Sequence, residues 1–86
     1  MTNRYILDEI MKLPPNGDDI GLFSSLAILS RNKIDVDLLT NEANEIYYSV
    51  KVPNILLSEI ETDDLMGLRN AEWEYSEDKQ FIIKKI

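Results

Sequence analysis

No cysteine and no histidine occurs among the 86 residues of this chain. Their absence excludes disulfide frameworks, thiolate nucleophiles, Ser-His-Asp triads and zinc sites of the usual Cys/His kind. It also removes the one side chain that titrates near neutral pH unaided. Carboxylates, Lys and Arg are left as catalytic groups, and a domain this small seldom encloses a pocket of several hundred Å³. The chain is therefore expected not to be an enzyme. Neither G-x-x-x-x-G-K-S/T nor G-x-G-x-x-G is present, so no nucleotide or other cofactor is expected.

Long apolar runs are missing too. The longest uncharged stretch, Ile20 to Ser30, has eleven residues, against roughly twenty needed to span a bilayer. Asp8 and Glu9 interrupt any apolar segment near the N-terminus, which makes the cytoplasm the expected compartment. Basic charge is scarce: nine Lys and Arg face sixteen Asp and Glu, a net charge of −7. That balance disfavours nucleic-acid phosphates, whose affinity rests on Lys and Arg releasing counterions, and anionic membrane surfaces as well. A basic protein is the partner class it leaves open.

What is present reads as one folded domain over residues 1–86. Apolar residues make up 44% of the chain, with only three Gly and three Pro, which excludes disordered and fibrous classes. No internal repeat or linker stands out. Residues 2–13 form a helix capped by Thr2 or Asn3, with Ile6, Ile10 and Leu13 along one face. Pro14 and Pro15 end it. Asp18 or Asp19 caps a second helix, Ile20–Ser30, with Leu22, Phe23, Leu26, Ala27 and Leu29 on its main face. A helix apolar nearly all round is a buried one, so this is the expected central core helix, with a buried strand through Leu22–Ser30 as the alternative that periodicity leaves open. Truncating Leu26 to Ala should then cost roughly 2–5 kcal/mol.

Alternation follows. Ile34, Val36 and Leu38 face one way, with Asp35 and Asp37 opposite; Ile46, Tyr48, Val50 and Val52 face inward, with Tyr47, Ser49 and Lys51 outward. A hairpin pairing Val36 with Val50 keeps both apolar sets on one face and sets Asp35 against Lys51. One or two helical turns cover Ile55–Ile60, and a further helix runs from Thr62 to about Asn70. Alternatively, Ser58 and Glu61 form a capping box that opens one longer helix. A second hairpin pairs Tyr75 with Phe81 and Trp73 with Ile83 around a five-residue loop, with Glu72 opposite Lys84. The fold class is α+β.

The acidic residues are unevenly distributed. Eight carboxylates lie between Glu59 and Asp78: Glu59, Glu61, Asp63, Asp64, Glu72, Glu74, Glu77 and Asp78. Arg69 is the only base among them, so this span carries the whole net charge. One reading is an electronegative face that steers a basic partner; the plainer one is a solvated surface with Asp63 and Asp64 serving a helix N-terminus. Tyr47, turned away from the face that buries Tyr48, is a candidate contact residue. Asp35-Val36-Asp37 matches a metal-binding pair in spacing alone; a hard cation wants about six or more oxygens and no D-x-D-x-D-G spacing accompanies the pair, so no metal is expected.

The order of helix, strand, two short helices and terminal hairpin resembles a winged helix. In such a module Thr62–Glu72 would be the recognition helix. Three acids and one Arg on it imply a variant that binds protein rather than DNA. The leading expectation is a small interaction module (an adaptor, inhibitor or regulatory subunit) presenting residues 59–78 to a basic partner. A nucleic-acid mimic and a self-associating subunit are the alternatives. An exposed strand edge at Ile34–Leu39 or Gln80–Lys85 would favour the last.

Overall fold

A computed structural model describes residues 3–15 and 21–86 of the chain. Four helices and four strands follow one another as α1 (Asn3–Lys12), α2 (Gly21–Arg31), β1 (Asp37–Thr40), β2 (Ile46–Lys51), α3 (Val52–Leu56), α4 (Thr62–Asn70), β3 (Glu74–Tyr75) and β4 (Phe81–Lys85). The α+β class is as expected. The element order departs from a winged helix because a full hairpin, not a single strand, precedes α3. Two helices and a hairpin thus occur twice in succession. The two hairpins join into one antiparallel sheet of order β1-β2-β4-β3, a repetition of topology without an evident repetition of sequence.

In β1–β2 the expected register holds. Asp37 stands opposite Ser49 and Leu38 opposite Tyr48, in line with the Val36–Val50 pairing. The ladder starts only at Asp37, so Asp35 and Lys51 lie beyond its end. The second hairpin is shifted by one residue from expectation: Tyr75 faces Ile82 and Glu74 faces Ile83. Turn chemistry is the reason. Asp78 accepts hydrogen bonds from the Gln80 amide at 3.0 Å and the Ser76 hydroxyl at 2.7 Å, and the Phe81 amide bonds back to Ser76 Oγ. Lys79 takes the left-handed conformation at φ 59°. Those contacts close the loop with four residues between Ser76 and Phe81 instead of five.

A one-residue slip exchanges the faces of a strand. Ile82 is therefore the fully buried residue of β4, while Phe81 and Ile83, expected beside Tyr75 and Trp73, turn to the other side of the sheet. Trp73 is buried as expected, and its indole Nε1 is the one buried side-chain donor without an acceptor among the described residues. Ile82 lies opposite Val50, also fully buried.

Helices α2 and α4 end identically. Beyond α2, Lys33 is left-handed, its amide bonds Ser30 O, and the Ile34 amide reaches Leu29 O at 2.9 Å. Beyond α4, Glu72 is left-handed, its amide bonds Arg69 O, and the Trp73 amide reaches Leu68 O at 3.1 Å. Each is a Schellman closure with its customary apolar contact: Leu29 with Ile34, and Leu68 with Trp73, all buried. The closures turn the chain from helix toward sheet at matching points in the two halves.

The core gathers Leu7, Ile10 and Met11 from α1, Ile28 and Leu29 from α2, and Leu65 and Leu68 from α4, against Val50 and Ile82. Two expectations change here. In α1 the buried stripe is Leu7, Ile10 and Met11, with Ile6 partly buried and Leu13 exposed. Thr2 lies outside the described residues, and Asn3 is already helical. In α2 the buried face is Ser25, Ile28 and Leu29, whereas Phe23 is 85% exposed and Leu26 only partly buried. The central position passes to α4, which packs on both α1 and α2. Ser25 lies at the α2 contact because its hydroxyl is satisfied locally by Leu22 O at 2.7 Å. The capping-aspartate expectation falls at Asp18 and Asp19, outside the described residues.

Helix α3 starts earlier than the sequence suggests, with Pro53 in its first turn, where its missing amide costs nothing. The single longer helix does not form: Ser58 Oγ bonds Ile55 O instead of capping α4. Arg69 joins distant parts of the chain, donating to Leu13 O at 2.7 Å and Trp73 O at 3.0 Å. Tyr75 ties the sheet to α1 by donating its hydroxyl to Asp8 Oδ1. Burial first, and then that hydrogen bond, push the Tyr75 hydroxyl from 10.0 to about 12, with nearby Arg4 acting the other way.

Two stability measurements follow. In urea unfolding, Leu29→Ala should cost about 2–5 kcal/mol, and Leu26→Ala about 1 kcal/mol because its side chain is already partly in water. Equal losses would overturn the assignment of the buried face. A raised tyrosine pKa favours the neutral folded form, so its contribution is complete below pH 10 and is lost as pH rises toward 12. Wild type should lose stability over that window by more than Tyr75→Phe does, as read by the unfolding midpoint at each pH.

Candidate functional site

The acidic span is divided by the fold. Glu59 and Glu61 lie on the link between α3 and α4, Asp63 and Asp64 in the first turn of α4, Glu72 and Glu74 beyond its last turn, and Glu77 and Asp78 at the hairpin tip. The rest of α4, from Leu65 to Asn70, separates the first set from the second by about 9 Å of helix. Among the described residues no three acidic side chains come close enough together to hold a metal ion.

Three of the eight carboxylates have partners within the chain. Asp64 accepts from Arg31 at 2.8 Å and from Asn32 Nδ2 at 3.2 Å, joining the end of α2 to the start of α4. Glu72 lies 4.0 Å from Lys84, so the expected pair forms although the strand register differs. Asp78 closes the turn, and the Gln80 amide and then the Ser76 hydroxyl hold its carboxyl below the usual carboxylate range. Glu59, Glu61, Asp63, Glu74 and Glu77 are exposed and make no ion pair among the described residues.

Of these, Glu59 and Glu61 lie on the α3–α4 link and Asp63 follows in the first turn of α4. Two residues before Glu59 in the chain, Leu57 is 87% exposed, an apolar side chain that the Ile55–Ile60 run makes look like core. Its exposure follows from where α3 stops: Ile55 is buried and Leu56 partly buried, and the chain leaves the core one residue later. No signal in the sequence distinguishes Leu57 from Leu56.

Tyr47 lies on the sheet face turned away from the core. It shares a groove of about 270 Å³ with Leu39, Ser49, Phe81 and Ile83. The register slip brings Phe81 and Ile83 there, so the apolar character of this face is not readable from the expected pairing. Ser49 is buried at its centre. A second groove of about 310 Å³ runs between α1 and α4, lined by Ile10, Leu13, Met66 and Arg69. Neither groove gathers an acid and a base around an apolar pocket. Of the two candidate edges, Gln80–Lys85 is interior to the sheet, while β1 is at its edge and exposed throughout. No helix among the described residues is long and apolar enough to cross a membrane.

The division of the carboxylates is testable by stability alone. Asp64→Ala should lower unfolding free energy by roughly 1–2 kcal/mol, since a charge-assisted pair of contacts is lost. Asp63→Ala should stay within about 0.5 kcal/mol of wild type, having no partner to lose. Equal effects in chemical denaturation would mean that Asp64 is not engaged. No family model, no curated protein and no solved structure matches this chain.

Proposed function

We propose that the chain is a small protein-interaction module whose α3–α4 link receives a basic partner. The observation that carries this reading is the exposed Leu57 shortly before Glu59, Glu61 and Asp63 in the chain, three carboxylates without ion-pair partners. Apolar area next to unpaired charge is the arrangement of a contact: the charge steers encounter and fixes orientation, and the apolar side chain supplies desolvated area. The net charge of −7 acts in the same sense at longer range. Separation of the eight carboxylates into three groups favours a local contact of this kind over a continuous track imitating a phosphate backbone. Glu72 and Asp78 enter through the general field, since both have structural partners.

The test is capture from a native lysate followed by mass spectrometry, with wild type beside Glu59→Gln/Glu61→Gln/Asp63→Asn and beside Leu57→Ala. A basic protein held by wild type, lost with the amide variant and weakened at least tenfold by Leu57→Ala supports the reading. About 0.5 M salt should release most of it, because exposed charges are screened over a few Å at that strength. Equal capture by all three proteins would overturn it, and so would no capture at all.

A further inference from the structure

The sheet face opposite the core has no covering element among the described residues, and the strand register fixes what it presents. One row across all four strands reads Asp37, Ser49, Ile83, Glu74. On one side of it Leu39, Tyr47 and Lys85 are neighbours; on the other, Lys51 stands opposite Phe81. The centre is therefore apolar around a buried serine, with Asp37, Glu74, Lys51 and Lys85 placed around it by the ladder and Glu45 4.0 Å from Lys85. With strands about 4.8 Å apart and residues about 3.4 Å apart along them, all four charged Cα positions lie about 7 Å from the midpoint between Ser49 and Ile83. The two acids lie on a line across the strands, and the two lysines on a line close to the strand direction. Signs alternate around the rim.

We propose that this face binds a second copy of itself in a crossed two-fold dimer, with Asp37 and Glu74 of each copy meeting Lys51 and Lys85 of the other. The charges select the geometry. A two-fold axis along the strands would lay Asp37 of one copy over Glu74 of the other, and an axis across the strands would lay each acid over itself. An axis between the acid line and the lysine line places every acid over a lysine, because all four lie at the same radius. Strands of the two copies then cross at about 70°, toward the orthogonal class of sheet packing.

The interface is isologous and closes at two copies. Tyr47, Phe81 and Leu39 supply its apolar area, and the 270 Å³ groove admits side chains from the opposite copy. Lys85 lies 4.0 Å from Glu45 within one chain, with 62% and 53% of these side chains exposed. A contact that wet is worth little, so Lys85 is available to the other copy. The face measures roughly 19 by 17 Å, below the approximately 800 Å² per partner of a standard interface, so association is weak and concentration-dependent. It involves neither Leu57 nor the α3–α4 link, and stands or falls separately from the proposed function.

Sedimentation equilibrium tests it. The apparent mass should rise from 10.0 kDa toward twice that value between about 10 µM and 1 mM, with weaker association in about 0.5 M salt. Asp37→Lys/Glu74→Lys makes these four positions all basic, and Lys51→Glu/Lys85→Glu makes them all acidic. Each variant alone, with a wild-type circular dichroism spectrum, should stay monomeric, and an equimolar mixture should associate at least tenfold more tightly than wild type. A wild type monomeric at about 1 mM overturns the proposal, as does a mixture no tighter than its components. Association that survives both reversals overturns it too, and assigns the contact to the open β1 edge. Should either variant fail to fold, the salt dependence of wild-type association decides, and dimerisation unchanged by salt counts against the proposal.

Discussion

Val50 opposite Ile82 is the pairing on which this fold depends. Both side chains are fully buried, and they join the two hairpins at the centre of the sheet. Without that central ladder each hairpin would be an isolated two-stranded ribbon, which is marginal in water at best. With it, the four strands offer one apolar face on which the helices pack. At a fully buried β2–β4 position, the alternating pleat leaves no freedom of register: a slip by one residue would exchange buried Val50 for exposed Lys51.

That constraint explains which parts of the structure were legible in the sequence. The β1–β2 register was readable because the chain alternates on both sides of a polar turn, and only one phase keeps Val36 and Leu38 on the face of Val50 and Tyr48. Thr62–Asn70 was readable as a helix because its start lies at a threonine followed by two acids. The β3–β4 register was not, because Phe81, Ile82 and Ile83 are apolar in succession, so either phase of β4 sets an apolar residue opposite Tyr75. The choice rests on hydrogen bonds of Asp78 and Ser76 within the turn, which hydrophobic periodicity does not carry. Helix α2 illustrates the same limit. Its composition is apolar on most sides, so the pattern cannot say which third of the surface meets the core, and Phe23 and Ala27 end in water while Ile28 is buried.

The acidic span was legible as a feature of composition and not as a feature of space. Proximity along the chain becomes proximity in the fold only where the backbone doubles back, and α4 instead carries the middle of this span along the core, with Leu65 and Leu68 buried. Arg69, the only base there, donates to two backbone carbonyls rather than balancing a neighbouring carboxylate. Asp64 meets its cation from a helix more than thirty positions earlier. Which carboxylates stay free was thus decided by tertiary contacts, and these leave Glu59, Glu61 and Asp63 outside.

The two halves of the chain also bear on the uncovered sheet face. Each half supplies two helices and a hairpin, and the hairpins meet antiparallel, so a rotation by half a turn about the sheet normal exchanges β1 with β3 and β2 with β4. Under that rotation Asp37 falls on Glu74, Lys51 on Lys85, and Tyr47 on Phe81, which are like exchanged for like in charge or aromatic character. Ser49 falls on Ile83, the only unlike pair among these and the one nearest the axis. A rim whose charges repeat under rotation has two equivalent ways to meet a copy of itself, and both place acids over lysines. The property belongs to topology and register jointly: with the β3–β4 hairpin in the register expected from periodicity, Phe81 and Ile83 would have pointed into the core and the pattern would not exist.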